Sequence, residues 1–257
     1  MARVLKNRFS INFVGKTTIL LLLSVVFFFA PTDASAQRRF SKSYPATRNV
    51  RLNLLNRSGT VTVEGWNRAE VQIQAYMETP AAAINPQIID GTIIINMVKE
   101  NFGRGEVGNV NFTIRVPFEA KVDIETKIGN LNVSSVRGAL VRAKISSDGD
   151  ITLTNINAQM VSAENGIGNI FFDGDIQSGG TYRFTSISGD INLRVPFNSS
   201  FKLIATAPST RSINLGSFST ANMRILGDGR RVAGQVGDGS SSLLVTNQRG
   251  SIAFIRR

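Results

Sequence analysis

The feature that most limits what this chain can become is a glycine that returns at almost constant intervals. Ile128-Gly129-Asn130-Leu131, Asp148-Gly149-Asp150-Ile151, Ile167-Gly168-Asn169-Ile170 and Ser188-Gly189-Asp190-Ile191 repeat one phrase, with glycines 20, 19 and 21 residues apart. Ser58-Gly59-Thr60-Val61 opens the series and Arg249-Gly250-Ser251-Ile252 closes it. A period near 20 residues marks a structural unit laid against copies of itself. Glycine turns the chain at positive φ without steric cost, and the Asn or Asp after it tolerates turn geometry and bonds its own backbone. A longer echo overlies this one. Arg115-Val116-Pro117-Phe118 recurs as Arg194-Val195-Pro196-Phe197, 79 residues on, and matching apolar pairs follow, Val122 with Ile124 and Phe201 with Leu203.

Between the glycines, apolar and polar residues alternate: Val61 and Val63, Val71 and Ile73, Phe112 to Val116, Ile151 and Leu153, Ile191 to Val195, Ile252 and Phe254. Period two in runs of three to seven residues, bounded by Gly, Asn, Asp or Ser, is the pattern of half-buried strands. No 3.6-residue apolar period persists beyond residue 40, and Pro80 to Ile84 offers one helical turn at most. The chain is therefore expected to be all-β. Parallel stacking into a single-stranded right-handed β-helix, with rungs of about 20 residues, fits the spacing best. Antiparallel hairpins folded into a β-sandwich would use the same alternation. Residues 37–47 are polar and expected to be a flexible segment, residues 48–257 form the repeat domain, and the spacing is lost between Ala205 and Ser240.

Residues 1–36 read as a secretory signal peptide. Arg3, Lys6, Arg8 and Lys16 precede an apolar run from Ile19 to Ala30, and Ala34-Ser35-Ala36 supplies small residues for cleavage. A run of twelve residues, interrupted only by Ser24, falls short of the roughly 20 that span a bilayer, so no integral membrane span is expected once the leader is removed. Among 257 residues there is no Cys and no His. That excludes disulfides, thiolate nucleophiles and zinc sites, His-based metal centres and the Ser-His-Asp triad. Lys and Arg number 29 against 18 Asp and Glu. Removing the leader takes four bases and one acid and leaves +8, a charge suited to anionic surfaces. The basic residues are scattered, whereas nucleic-acid binding needs a focused patch with interleaved aromatics, so nucleic acid is not an expected partner.

Asn56-Arg57-Ser58-Gly59-Thr60-Val61-Thr62-Val63-Glu64-Gly65-Trp66, followed by Val71-Gln72-Ile73 and the Gly-(Asn/Asp)-(Ile/Leu) series, resembles the bacterial putative-adhesin family of exported β-strand-repeat proteins. The resemblance covers roughly residues 48–257. It implies a β-solenoid-like fold outside the cytoplasmic membrane, periplasmic, cell-surface or secreted, in contact with envelope polysaccharide or protein. Fold-level likeness carries little chemistry.

Candidate sites are few. Asp148, Asp150, Asp173, Asp175 and Asp190 would bind Ca²⁺ only if stacked units brought six to eight oxygens together, and Asn130 and Asn169 fill the same slot as Asp150 and Asp190. Asp173 and Asp175 with Arg183 form the single local grouping suited to polysaccharide cleavage. Trp66 offers either a sugar-stacking ring or a cap on the first rung, and Phe171-Phe172, Phe40 and Tyr44 read as core or cap filler. Gly103-Arg104-Gly105 is a flexible loop; Gly227-Asp228-Gly229 and Gly237-Asp238-Gly239 are paired turns. The reading is a non-catalytic binding or scaffold module with no cofactor, no metal and no catalytic residue. A structural or sensory envelope protein and a polysaccharide-degrading enzyme are the alternatives.

Overall fold

The computed structural model describes residues 38–219 and 222–256, and Gln37–Arg257 forms one compact unit. The expected signal peptide lies outside the described residues. In chain order the strands are β1 (Arg38–Pro45), β2 (Arg51–Leu55), β3 (Val61–Trp66), β4 (Glu70–Met77), β5 (Gln87–Ile89) and β6 (Thr92–Asn96). A single helical turn, α1 (Met97–Glu100), precedes β7 (Val110–Pro117), β8 (Lys121–Ile128), β9 (Leu131–Ser134), β10 (Leu140–Asp148) and β11 (Ile151–Ile156). Next come β12 (Met160–Ile167), β13 (Ile170–Gly174), β14 (Thr181–Ser188), β15 (Ile191–Val195) and β16 (Phe201–Thr206). The chain closes with β17 (Ile213–Asn214), β18 (Asn222–Leu226), β19 (Arg231–Val236), β20 (Ser241–Arg249) and β21 (Ile252–Arg256).

These make two facing sheets. The first runs β1-β4-β7-β3-β9-β11-β13-β15-β21-β17 and the second β18-β19-β16-β20-β14-β12-β10-β8-β2-β6-β5. Each tier is one strand of the second sheet, a glycine corner and one strand of the first. Tiers pair in parallel, Val141 with Val122 and Val161, Leu153 with Val133 and Phe172. The fold is thus a parallel β-solenoid and not an antiparallel sandwich; antiparallel pairing is confined to the ends, at β1–β4–β7, β5–β6 and β16–β19–β18.

The corner explains the glycine. Gly149 and Gly189 have φ of +143° and +120°, and a Cβ on either would run into the carbonyl oxygen of the corner glycine one tier back, Gly129 or Gly168. Both conformation and close approach demand the bare residue. Inside the same corners sit buried amides. Asn247 Nδ2 donates to the carbonyls of Gly189 and Ser251 at 2.7 and 2.8 Å, and Asn165 Nδ2 to that of Gly149 at 2.8 Å. Buried carbonyls left unpaired would cost stability, so these side chains close the account for a turn without regular ladder bonds.

Between the sheets, the inward half of each alternating strand forms one aliphatic column, with Leu131, Val133, Ile151, Leu153, Ile170, Ile191 and Leu193 all at 0–1% exposure. Toward the carboxyl end rings replace aliphatics. Phe172 packs on Phe184 and Tyr182 with centroids 5.0 and 6.2 Å away, and Phe218 contacts Phe201 and Phe254 at 5.5 and 6.0 Å.

Spatial order departs from chain order at both ends. The tier β6/β7 lies outside the earlier β2/β3, and β16/β17 lies outside the later β20/β21. To achieve this the chain skips a tier twice, from β7 to β8 and from β15 to β16. The two copies of Arg-Val-Pro-Phe stand at those two skips. Each places a buried valine at the close of its strand, Val195 as the last residue of β15 and Val116 one before the last of β7, then turns alike, Ala120 N donating to Pro117 O at 3.0 Å and Ser199 N to Pro196 O at 3.1 Å.

Two expectations change. Residues 37–47 are not a loose segment over most of their length: β1 pairs with β4 from Arg38–Met77 to Pro45–Glu70, an edge strand whose side chains are mostly solvated and so leave no apolar alternation to read. Pro80 to Ile84 forms no helical turn; among the described residues the helical turns are α1, where Asn96 Oδ1 accepts Lys99 N at 2.8 Å as its cap, and a 3-10 turn at Gly216–Phe218.

Candidate functional site

The Asp and Asn residues after each corner glycine do more than form a turn. Each offers its Oδ1 to the backbone N–H of the equivalent residue one tier on: Asn130 to Asp150 N (2.9 Å), Asp150 to Asn169 N (2.6 Å), Asn169 to Asp190 N (2.9 Å) and Asp190 to Ser251 N (2.8 Å). The slot needs an acceptor oxygen, which both residue types supply. Asp190 also accepts the Ser251 hydroxyl at 2.8 Å, and these bonds, led by the backbone N–H, hold its carboxyl below the ordinary carboxylate range.

Of the other candidate acids, Asp173 and Asp175 are likewise engaged, and Asp148 is exposed at the end of β10. Asp173, on the outer side of β13, takes Arg194 from β15 in an ion pair, and that bond raises the Arg194 guanidinium above its ordinary value. Asp175 accepts Asn157 Nδ2 at 3.2 Å. Arg183 is exposed on β14 in the opposite sheet, so the grouping of Asp173, Asp175 and Arg183 is not assembled. Among the described residues, no three acidic groups converge as a metal cluster.

Trp66 is an outer-face residue, not a core cap. Its Nε1 donates to Glu70 O at 2.9 Å, and the Arg68 and Arg115 guanidinium carbons lie 4.9 and 5.7 Å from its ring centre. Those cations occupy the aromatic surface a sugar would stack upon. Strand alternation splits the phenylalanine pair: Phe172 is buried, and Phe171 faces out with the Arg194 guanidinium 5.9 Å from its ring. Phe40 packs partly against the core, and Tyr44 is buried.

The outer face of the first sheet carries the ion pairs Arg115–Glu64 and Arg194–Asp173 and, beside them, an uncharged row. On the first sheet, register aligns Ser41, Gln74, Thr113, Thr62, Asn132 and Thr152 in one row across six neighbouring strands. All six are exposed or half-buried. Strands lie about 4.8 Å apart, so the row is a ruler of uncharged hydroxyls and amides. On the second sheet the corresponding positions are charged. Asp123, only 5% exposed, bridges Arg51 Nη2 at 2.9 Å and Arg142 Nε at 2.7 Å from the tiers on either side. Lys144 Nζ meets Glu125 Oε1 at 3.2 Å. These pairs fasten one tier to the next, although half-exposed cations make each worth only about 1 kcal/mol.

Alternation marks every member of these rows as outward, but which outward residues share a row depends on register across tiers. A cleft of about 480 Å³ lies beside the corner of β2 and β8, walled by Leu55, Val98, Val107 and Ile128 with Arg57 and Lys127 on its rim. Its one acid, Glu125, is the partner of Lys144, which leaves no carboxylate pair there for acid–base work.

The Toastrack DUF4097 family profile matches residues 49–212. No curated protein shows significant similarity. Among solved structures, a "putative cell adhesion protein" from Clostridium sporogenes is 14% identical with a TM-score of 0.49, covering 86% of this chain and all of its own. A "putative adhesin" from Bacteroides fragilis is 11% identical at a TM-score of 0.37, covering 86% of this chain and 99% of its own. A "putative lipid binding protein" from Parabacteroides distasonis is 9% identical at 0.36, covering 87% and 98%.

Proposed function

This chain belongs to the Toastrack DUF4097 family, and from that premise we propose that it is an exported, non-catalytic module that holds envelope polysaccharide along the outer face of its first sheet. One observation carries the reading: the row Ser41, Gln74, Thr113, Thr62, Asn132 and Thr152 crosses six strands without a charge. Hydroxyl and amide groups are donors and acceptors at once, which matches the mixed donor–acceptor edge of a sugar. Each contact is weak, and a regular array converts many weak contacts into useful affinity by multiplicity. The tier-to-tier hydrogen bonds and ion pairs fix the spacing of the array. Asp150, Asp173, Asp175 and Asp190 serve that scaffold, which supports a role without catalysis.

Export is tested by fractionation and amino-terminal sequencing; a mature end at Gln37 is the expected result. Binding is tested on an array of envelope polysaccharides. The expected outcome is retention of at least one glycan, lost when Thr62, Asn132 and Thr152 are replaced together by Leu with the melting temperature preserved. An intact protein that binds nothing across the array overturns the reading, as does product release from acidic polysaccharides.

A further inference from the structure

Charge is concentrated at one end of the molecule. Residues 198–257 carry eight Lys or Arg against two acids, Asp228 and Asp238, whereas residues 38–197 carry 17 against 15. The end has an unusual shape as well. The first sheet stops at the two-residue β17, but the second continues through β19 to β18, so the β18–β19 hairpin overhangs with no opposing sheet among the described residues. In a middle strand the inward residues are buried completely; here Ile225, in register with the inward Val232, is 70% exposed, and on the outward face Leu226, in register with Arg231, is 46% exposed. Cations surround these two aliphatics. Arg224 and Arg231 share the face of Leu226, Arg230 stands at the turn below both faces, and a Cβ at Gly229 would lie 3.8 Å from that of Arg211. Among the described residues, no ion pair engages any of these four arginines. Asp228 is the one acid in the turn.

We propose that this hairpin docks turn-first in the headgroup layer of an anionic phospholipid bilayer, with the arginines on lipid phosphates and Ile225 and Leu226, one on each face beside the turn, at the acyl boundary. Guanidinium pairs with phosphate through two donors at once, and clustered cations beside apolar side chains give the combined attraction that holds amphipathic elements at a membrane surface. Depth is limited by the free edge of β18, whose backbone groups have no strand partner and are not tolerated in hydrocarbon. The contact is therefore interfacial, and it is independent of the polysaccharide face.

The test is sedimentation of Gln37–Arg257 with vesicles of phosphatidylglycerol mixed into phosphatidylcholine, and of phosphatidylcholine alone. Binding is expected to rise with the anionic fraction, to fall at least tenfold between low and high salt, and to be negligible on phosphatidylcholine. The variant R224E/R230E/R231E is expected to bind at least tenfold more weakly, I225S/L226S severalfold, and the Leu-substituted hydroxyl row as well as wild type. Ile225→Trp supplies a readout that does not depend on the charge variant folding: its emission moves to shorter wavelength on anionic vesicles only. Equal binding to both vesicle types, salt-insensitive binding, no emission shift, or retention only by phosphate-bearing polysaccharide or an acidic protein offered without lipid would overturn the proposal.

Discussion

The middle tiers, from β8/β9 to β14/β15, and the two ends use the same strand chemistry but different routes of the chain. In the middle, each corner bonds to the next one along the sequence: Gly168 N donates to Ser188 O at 2.9 Å. At the carboxyl end Gly189 N donates to Arg249 O at 3.0 Å, the same bond made to a residue 60 positions on. The ladder does not register that a tier was skipped. Neighbours in this stack are chosen by the fit of glycine corner, acceptor side chain and inward aliphatics, and proximity in sequence merely delivers most of them in order. Where that fit lapses, in the overhanging β18–β19 hairpin, an inward aliphatic, Ile225, that would be core elsewhere becomes surface.

Substitutions at the corners probe the contrast most sharply. Gly189→Val combines a backbone clash with Gly168 and a positive φ forbidden to a β-branched residue, and it should cost about 4 kcal/mol in a denaturant titration, near the upper range for single changes. Next, Asp123→Ala removes the carboxylate shared by Arg51 and Arg142 and should lower stability by about 2 kcal/mol; the two cations stay half-solvated, which keeps the loss below that of a fully buried pair. Asp190→Leu should cost about 1 kcal/mol through its lost bond to Ser251, whereas Asp190→Asn keeps an acceptor oxygen and should cost less near pH 7, losing the contribution of the charge alone. Because the folded carboxyl of Asp190 titrates below its unfolded value, its ionised form stabilises the protein above about pH 4 and that contribution disappears as pH falls through the folded value. Melting curves of wild type and Asp190→Asn should therefore converge in acid. The smallest effect belongs to the end: Gly227→Ala has φ +59° but nothing nearer than 3.9 Å to meet, so about 1 kcal/mol or less is expected. Equal losses at Gly227 and Gly189 would dissolve the distinction between middle and end.

Much of the scaffold was legible in the sequence, because glycine spacing and period-two alternation report corners and inward residues directly. Gly129, Gly149, Gly168 and Gly189 do share one edge, as their spacing implied. The 79-residue echo of Arg-Val-Pro-Phe was visible too, but its meaning was not. A spacing records how far apart similar turns are, while a skipped tier is a property of which strands pair. β1 escaped for a physical reason, since an edge strand with one buried side chain, Tyr44, has little alternation to show. The hydroxyl row was hidden similarly: Thr62, Asn132 and Thr152 are adjacent only after register is known. The acceptor role of Asp150 and Asn169 shows locally as a turn preference, and the bond it makes lies 19 residues away.

The inversion of β16/β17 and β20/β21 bears on how the molecule can be assembled. Ribosomal synthesis delivers residues 201–214 before residues 241–256, yet the latter form the layer that joins them to Ile191–Val195. The closing segment is a keystone, and what precedes it must wait, unsupported, until it arrives. Trimming a simple solenoid shaves off its terminal layer at the expense of one interface; trimming this one pulls a course from within the wall and strands everything laid beyond it.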